Sequence, residues 1–322
     1  MINRIAVYIV GDAGIFYPGL VALRSIQDHN STNPFDYFMC FDGRDLTGEM
    51  DAVLQEHNIQ FVDIADLKTY GSVDDLTVMK ENRFPVHVFC NWLFPYWLHD
   101  RGYQEALKAD YDLLCVGRYY LPELMPGEEA TVSALRFDAD LLGMGVTHDA
   151  LRELDVPVVA GKAVIPYYNA GVVGINVNRY VEAGTFGFFR YAYLTVQADG
   201  ASVMNAEQAA LAIVAHHSDG IKNIPTAYNQ RITILPELDL EGRPVLKNIH
   251  FLTLNKPWKN PDYKYLDGYV QRGRTSVYIY RDIWHHYART VPGYTKYVSA
   301  HSPTPLDTLA MYTTLLTAYH KR

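Results

Sequence analysis

Cysteine is scarce in this sequence, with three residues at positions 40, 90 and 115 of 322. Their odd number, wide spacing and apolar surroundings argue against a disulfide framework. They leave no zinc-ligand spacing and read as buried free thiols of a reducing compartment. Long apolar runs are also missing, and no stretch is long enough to span a bilayer. Met1-Ile2-Asn3-Arg4 leads directly into an apolar run without a signal-peptide layout, so a soluble, cytoplasmic protein is expected. There is no basic excess: 28 Lys and Arg stand against 36 Asp and Glu, a formal charge of −8. That balance argues against a general nucleic-acid surface and leaves only a local basic patch open. Internal repeats and low-complexity tracts are absent. What remains is ordinary globular composition, 49% hydrophobic and 20% charged. The length suits one large α/β domain with an appendage, or two domains, with a sizeable core.

The most informative stretch is Lys108-Ala109-Asp110-Tyr111-Asp112-Leu113-Leu114-Cys115-Val116-Gly117. Two acids one residue apart open an apolar run. In an extended strand, residues i and i+2 share a face, so Asp110 and Asp112 are expected to aim oxygens at one point. Two facing carboxylates repel unless a cation lies between them. A hard divalent ion, Mg²⁺ or Mn²⁺, is the natural occupant, and such ions also hold substrate diphosphates. The plainer alternative is a solvated turn ahead of a core strand.

Around this stretch the chain reads as alternating strands and helices. Ile5–Val10 is a near-continuous apolar run typical of a parallel strand buried on both faces. It breaks at Gly11-Asp12-Ala13-Gly14, and a helix follows through Leu20, Leu23 and Ile26, with Ser25 and Asp28 on its polar side. A strand, a Gly/Asp turn and a helix open a nucleotide-binding α/β unit with ligands at the strand's carboxyl end. A tight turn without a ligand is the competing reading, since GxGxxG is lacking. Strands at 35–41 and 59–64, with a polar helix from about 47 to 57, imply a parallel sheet with right-handed crossovers. Residues 68–85 are polar and aperiodic and read as a mobile loop. The aromatic stretch 86–98 reads as a core helix interrupted or kinked at Pro95. Further on come a short helix or turn at 119–126 and a strand at 130–137. Asn169 is expected at a polar turn leading into a buried strand that ends at Val177. Asn205 is a candidate cap for a helix with Glu207 in its first turn. A short strand ends at His250, and Lys256-Pro257-Trp258 follows in a loop. The tail carries Ile283, Trp284, Tyr287 and Ala288 at helical spacing.

Taken in order, these pieces resemble the retaining nucleotide-sugar glycosyltransferases of family 8, the group containing glycogenin and bacterial lipopolysaccharide galactosyl- and glucosyltransferases. The matching pieces are Asp12 after the first strand, Asp110-x-Asp112-Leu-Leu-x-Val-Gly117 and Tyr168-Asn169-Ala170-Gly171-Val-x-x-Ile-Asn176. Glu207-Gln208 opening a helix, Tyr228-Asn229 and His250-x5-Lys256-Pro257-Trp258 complete the set, which covers residues 4 to 290. The resemblance implies an α/β fold of GT-A type: a Rossmann-like, mixed but mostly parallel sheet flanked by helices. Residues 1–265 would form the nucleotide-sugar-binding catalytic domain, and 266–322 a helical extension. Asp110, Asp112 and His250 would be ligands to Mn²⁺ or Mg²⁺. Val10, Gly11 and Asp12 would hold the uracil of a UDP-sugar, with Asp110, Tyr111 and Asn91 also at the donor and Lys256 on a phosphate oxygen. Glu207, Gln208 and Asn169 would be the catalytic residues lining the sugar pocket. The implied reaction moves a hexose, glucose or galactose, to a saccharide or glycoconjugate acceptor.

The sequence departs from the family at several of these places. Lys108 and Ala109 replace an aromatic residue and leucine before the first acid. Asn91 stands where the family has a donor-contacting arginine, a role that Arg83 is placed to fill. Glu207-Gln208 replaces Asp-Gln, and Leu252-Thr253-Leu254 lacks the glycine usual between the histidine and lysine. After Asp12, Ala13-Gly14-Ile15 replaces a polar residue and tyrosine, which shifts uracil stacking to Phe16 or Tyr17. The alternative function is therefore a nucleotide-sugar-binding relative with little or no transfer. A sugar-nucleotide pyrophosphorylase would want a basic Gly-rich loop after the first strand, and Gly11-Asp12-Ala13-Gly14 has none. Adjacent histidines 216–217 and 285–286 do not share a helix face, which argues against a metal role. The many tyrosines read as core and interface material rather than carbohydrate platforms. Lys296, Lys321 and Arg322 among aromatics mark a candidate peripheral membrane contact. A homodimer completes the expected partners; nucleic acid is not among them.

Overall fold

The computed structural model describes residues 4–71, 89–137, 139–198, 205–218, 220–232, 246–252, 256–258 and 276–301. The strands are β1 Ile5–Val10, β2 Phe35–Phe41, β3 Ile59–Asp63, β4 Glu105–Ala109, β5 Leu113–Cys115, β6 Val132–Phe137, β7 Val158–Val159, β8 Lys162–Ala163, β9 Tyr167–Asn176, β10 Ile221–Asn223, β11 Gln230–Arg231 and β12 Asn248–His250. The chain groups into two compact units: Met1–Gly14, Thr32–Asp110 and Tyr120–Thr226 in the first; Ile15–Ser31, Tyr111–Tyr119 and Ala227–Arg322 in the second.

The first unit is built on a seven-stranded sheet in the order β10-β6-β9-β4-β1-β2-β3. Parallel pairing joins β4-β1-β2-β3 and β10-β6, while β9 runs antiparallel to both its neighbours, β4 and β6. All six residues of β1 are buried, as expected of a strand covered on both faces. One core joins Tyr8, Phe38 and Trp92 to Leu93, Phe189 and Ile213. The Cys90–His99 helix contributes an almost fully apolar segment to it with Pro95 inside, so the expected core helix forms; residues 86–88 lie outside the described residues. The expected helix at 47–57 spans Gly48–Glu56, capped by the Thr47 side chain, which accepts from the Met50 N–H. Of the loop expected at 68–85, residues 72–85, Arg83 among them, lie outside the described residues.

Two local expectations are corrected here. Asn169 is not at a turn: it lies within the ten-residue β9, next to a shift of register against β6 between Ala134 and Leu135. Its side chain accepts the Gly171 N–H at 2.9 Å, the turn-like bond that asparagine also makes within an irregular strand. Asn205 stands before the Ala206–His217 helix with φ 60° and makes no side-chain capping bond. Its left-handed backbone is not the extended one of a capping residue, and its carbonyl accepts from the Gln208 and Ala209 N–H groups.

The second unit holds a three-stranded sheet, β11-β12-β5, with β12 parallel to β11 and antiparallel to β5. The Phe16–His29 helix packs on β5. Ser25, expected on the polar face, is fully buried: its hydroxyl donates to the Ala22 carbonyl and accepts the Cys115 N–H at 2.9 Å. The Ser276–Arg289 helix buries Trp284 and Ala288, two of the four residues placed at helical spacing. Cys40, Cys90 and Cys115 are free and buried.

Candidate metal and donor site

The acidic pair sits in a turn rather than in an extended strand. β4 ends at Ala109 in the first unit and β5 begins at Leu113 in the second, with Asp110, Tyr111 and Asp112 between them. The chain leaves one sheet for another here, so an unbroken strand cannot carry both acids. Tyr111 alone separates them, and the turn itself sets their spacing. The plainer alternative was right about local structure, yet the turn does not leave Asp112 solvated: it is 4% exposed.

Asp112 is enclosed by second-unit groups. The Lys256 ammonium contacts its Oδ2. Its Oδ1 lies 3.1 Å from Nε2 of His250. On the other edge of the ring, Nδ1 is 2.8 Å from Oδ1 of Asn229. An amide oxygen only accepts, so Nδ1 donates to it, and Nε2 lies against the carboxylate oxygen at 3.1 Å, a pairing that a shared proton or a bound cation would hold. Burial alone would raise the Asp112 pKa. Lys256, and then His250, more than offset it and hold the carboxyl well below the usual range.

β12 brings His250 there. Its register places His250 opposite Leu113, the residue after Asp112, and the Phe251 N–H donates to the Asp112 carbonyl at 3.0 Å. β12 and β5 run antiparallel, so the carboxyl end of β12 meets the amino end of β5. Asp112 and His250 of the second unit offer a carboxylate oxygen and a ring nitrogen 3.1 Å apart, and Asp110 ends the first-unit segment two residues before Asp112. Two carboxylates and an imidazole suit a hard or borderline divalent ion, so the residues present fit the expected metal. Lys256 and Tyr111 adjoin the centre. The ammonium lies 5.4 Å from the Tyr111 ring centroid, and Tyr111 tilts against Trp258 at 6.1 Å. Arg281 donates to the carbonyls of Lys256 and Pro257, fixing the backbone that carries the lysine.

First-unit groups cluster around Asp110. Lys108 is only 2% exposed, and its ammonium donates to Asp110 Oδ1 and to the Ala170 carbonyl, each at 2.5 Å. Glu207, partly exposed in the first turn of its helix, accepts from Trp92 Nε1 at 2.9 Å. Desolvation drives its carboxyl up to about 7; Lys108 opposes the rise, Asp110 adds to it and the Trp92 bond opposes it. Lys108 appeared in the sequence only as a departure and Trp92 as an aromatic among many. A lysine inside an otherwise buried strand was the available signal for the first.

The remaining candidates are placed as follows. Val10 ends β1, Gly11 donates to the Cys40 carbonyl at 3.0 Å, and half-buried Asp12 accepts the Gly14 N–H at 2.8 Å. Asn91 is buried near the start of its helix, with its carbonyl accepting from the Tyr8 hydroxyl at 2.9 Å. Gln208 is partly exposed beside Glu207. Of the paired histidines, His217 bonds the Leu154 carbonyl at 2.7 Å and His285 the Pro257 carbonyl at 3.1 Å, both structural roles.

This fold is shared with solved glycosyltransferases. The bifunctional glycosyltransferase WbbM aligns over 94% of this chain with a TM-score of 0.63 at 15% identity. The galactosyltransferase LgtC, solved with donor and acceptor sugar analogs, aligns over 89% with a TM-score of 0.59 at 15% identity. GlyE of Streptococcus pneumoniae TIGR4 aligns over 94% with a TM-score of 0.55 at 18% identity. The chain spans 52% of the WbbM chain, 66% of GlyE and 96% of LgtC. No family model and no curated protein matches the sequence. The mixed, mostly parallel sheet flanked by helices is thus of the GT-A type. Among the described residues no helix is long and apolar enough to cross a membrane.

Proposed function

We propose that this chain is a retaining, metal-dependent glycosyltransferase of the family 8 kind, moving glucose or galactose from a UDP-sugar to a saccharide or glycoconjugate acceptor. The observation that carries the reading is the Asp112–His250 pair. It sets a carboxylate oxygen and a ring nitrogen 3.1 Å apart in a buried place, and Asp110, two residues before Asp112, is the third ligand of this reading. The solved LgtC contains donor and acceptor sugar analogs, which supports the same use of the fold here.

Asp110, Asp112 and His250 would hold Mn²⁺ or Mg²⁺. When bound, the ion would neutralise the charge that develops on the departing diphosphate. Lys256 then exchanges Asp112 for a phosphate oxygen and stabilises the same leaving group. Glu207 lies on the sugar side and offsets the positive charge that grows at the anomeric carbon, with Gln208 and Asn169 positioning the hexose. Val10, Gly11 and Asp12 receive the uracil at the carboxyl end of β1, where open α/β sheets place ligands. Tyr111 and Asn91 complete the donor contacts. Residues 1–265 act as the catalytic domain and 266–322 as its extension, working in the cytoplasm with a peripheral membrane contact. Asn91 in place of the family arginine favours one second reading, a nucleotide-sugar-binding relative with little transfer.

The test is release of UDP from UDP-glucose and UDP-galactose with and without Mn²⁺, beside calorimetry with UDP. Metal-stimulated binding and release are expected. Binding without release supports the second reading, and equal binding of GDP or CMP donors rejects both. In the presence of UDP, Asp112→Asn should abolish Mn²⁺ binding and His250→Ala should weaken it.

A further inference from the structure

Pro95 stands inside the Cys90–His99 helix and has no N–H, so the carbonyl four residues back, on Asn91, loses its helical donor. The Tyr8 hydroxyl takes that place, donating to the Asn91 carbonyl at 2.9 Å. The Tyr180 hydroxyl donates to the next carbonyl, on Trp92, also at 2.9 Å. Both tyrosines are fully buried, and Tyr8 stacks on Phe94 with ring centroids 4.4 Å apart. Two elements, β1 and the Val177–Glu182 helix, thus fix the helical turn that a proline would otherwise loosen. That turn carries Trp92, which is 1% exposed and stacks on Phe189 at 4.9 Å. Backbone and ring are both held, and the indole N–H meets Glu207 Oε1 at 2.9 Å.

A buried indole N–H needs an acceptor, and any neutral oxygen serves. A carboxylate is the costly choice. Burial opposes its charge and pushes the Glu207 carboxyl up to about 7, while the bond from Trp92 favours the charged form. A glutamine would satisfy the same indole without that cost. A charge kept in such a place is the mark of a functional group, and the pairing fixes where the charge lies. The kind of donor matters as well. An indole N–H orients a carboxylate without cancelling its charge, whereas the Lys108 ammonium is engaged by Asp110 Oδ1 and the Ala170 carbonyl. Stabilising a developing cation calls for an anion already held in position, so that nothing has to reorganise as the reaction proceeds.

We propose that Trp92 is a positioning residue, whose indole N–H holds the Glu207 carboxylate toward the reacting sugar. The inference rests on the transferase reading and adds to it the group that aims the acid. Trp92→Phe keeps a ring on Phe189 and removes the N–H. In UDP release from UDP-glucose or UDP-galactose with Mn²⁺, its kcat should fall roughly tenfold or more with the donor KM unchanged. In a Glu207→Ala background the same change should cost less than about twofold, because no carboxylate is left to aim. Tyr180→Phe leaves the indole in place and frees the Trp92 carbonyl. Its kcat should fall roughly threefold, and this variant decides the matter if Trp92→Phe does not fold. A readout apart from turnover is the Trp92 indole proton in NMR of the full chain, which should move upfield in Glu207→Ala. The inference is overturned by a kcat of Trp92→Phe within about twofold of wild type, by an equal loss in both backgrounds, or by an unmoved indole resonance. Wild type that releases no UDP, or Glu207→Ala that releases it at the wild-type rate, rejects the reading of the site and this inference with it. A slow Glu207→Ala beside an unaffected Trp92→Phe rejects this inference alone.

Discussion

At the scale of single residues, the first-unit cluster joins a lysine and two acids whose charges offset one another. Glu207→Gln keeps an oxygen for the Trp92 N–H and removes the negative charge. If that charge stabilises the sugar cation, release of UDP should slow roughly a hundredfold or more with little change in Tm. Normal turnover in the variant would return Glu207 to its other role, complementing the helix dipole. Lys108 acts in the opposite sense toward the metal. Its ammonium already occupies one face of Asp110, 2.5 Å from Oδ1, and would repel a divalent ion bound to the same carboxylate. Lys108→Met retains the buried aliphatic stem and removes the charge. Mn²⁺ should bind it about tenfold more tightly than wild type in calorimetry. Unchanged or weaker binding would mean that the lysine chiefly orients Asp110.

At the scale of elements, the close approach of three strands constrains β9. Gly174 pairs with Leu107 of β4 on one side and Ser133 of β6 on the other. A Cβ built at Gly174 would come 2.8 Å from the Leu124 carbonyl oxygen and would also meet the Ser133 hydroxyl. The Ser133 hydroxyl donates to that same carbonyl, so neither group is at liberty to move aside. Gly174→Ala should therefore destabilise the protein by about 3 kcal/mol, measured by urea unfolding. A wild-type midpoint would show that the Leu124 backbone yields. The same sheet shows which elements are legible in sequence. β1, β2 and the Cys90–His99 helix announce themselves by unbroken apolar runs. Asn169 does not, because a polar residue inside a buried strand mimics the chemistry of a turn.

For the whole molecule, acid stability offers a test through His285. Its Nε2 bonds the Pro257 carbonyl at 3.1 Å and its Nδ1 the Tyr294 hydroxyl at 3.2 Å, so the neutral ring is satisfied. Burial lowers its pKa to about 4; Arg281 and Arg289 lower it further, while the Pro257 bond raises it. The unfolded chain therefore takes up this proton first as the pH falls. Stability from the neutral ring is intact above about 6.5, declines through the interval and is lost below about 4, a change of about 3 kcal/mol. The Tm should fall over that window, and His285→Gln should flatten part of the decline. An identical pH profile in the variant would assign the decline to other groups.

The sequence by itself determined what depends on local pattern. Apolar runs and their period set the order of strands and helices, the spacing of Asp110 and Asp112 marked a candidate acidic pair, and only the family resemblance joined His250 and Lys256 to it. Only the tertiary structure decided how those residues meet. Hydropathy says which face of a segment is buried and nothing about which distant strand lies beside it. Pairing β12 with β5 therefore had to precede any statement that His250 faces Asp112. The same reason hid the turn at Asp110–Asp112, the burial of Ser25 and the ammonium of Lys108 on Asp110. Each is settled by a neighbour that is remote in sequence or by a change of sheet. No periodicity within a single segment records either.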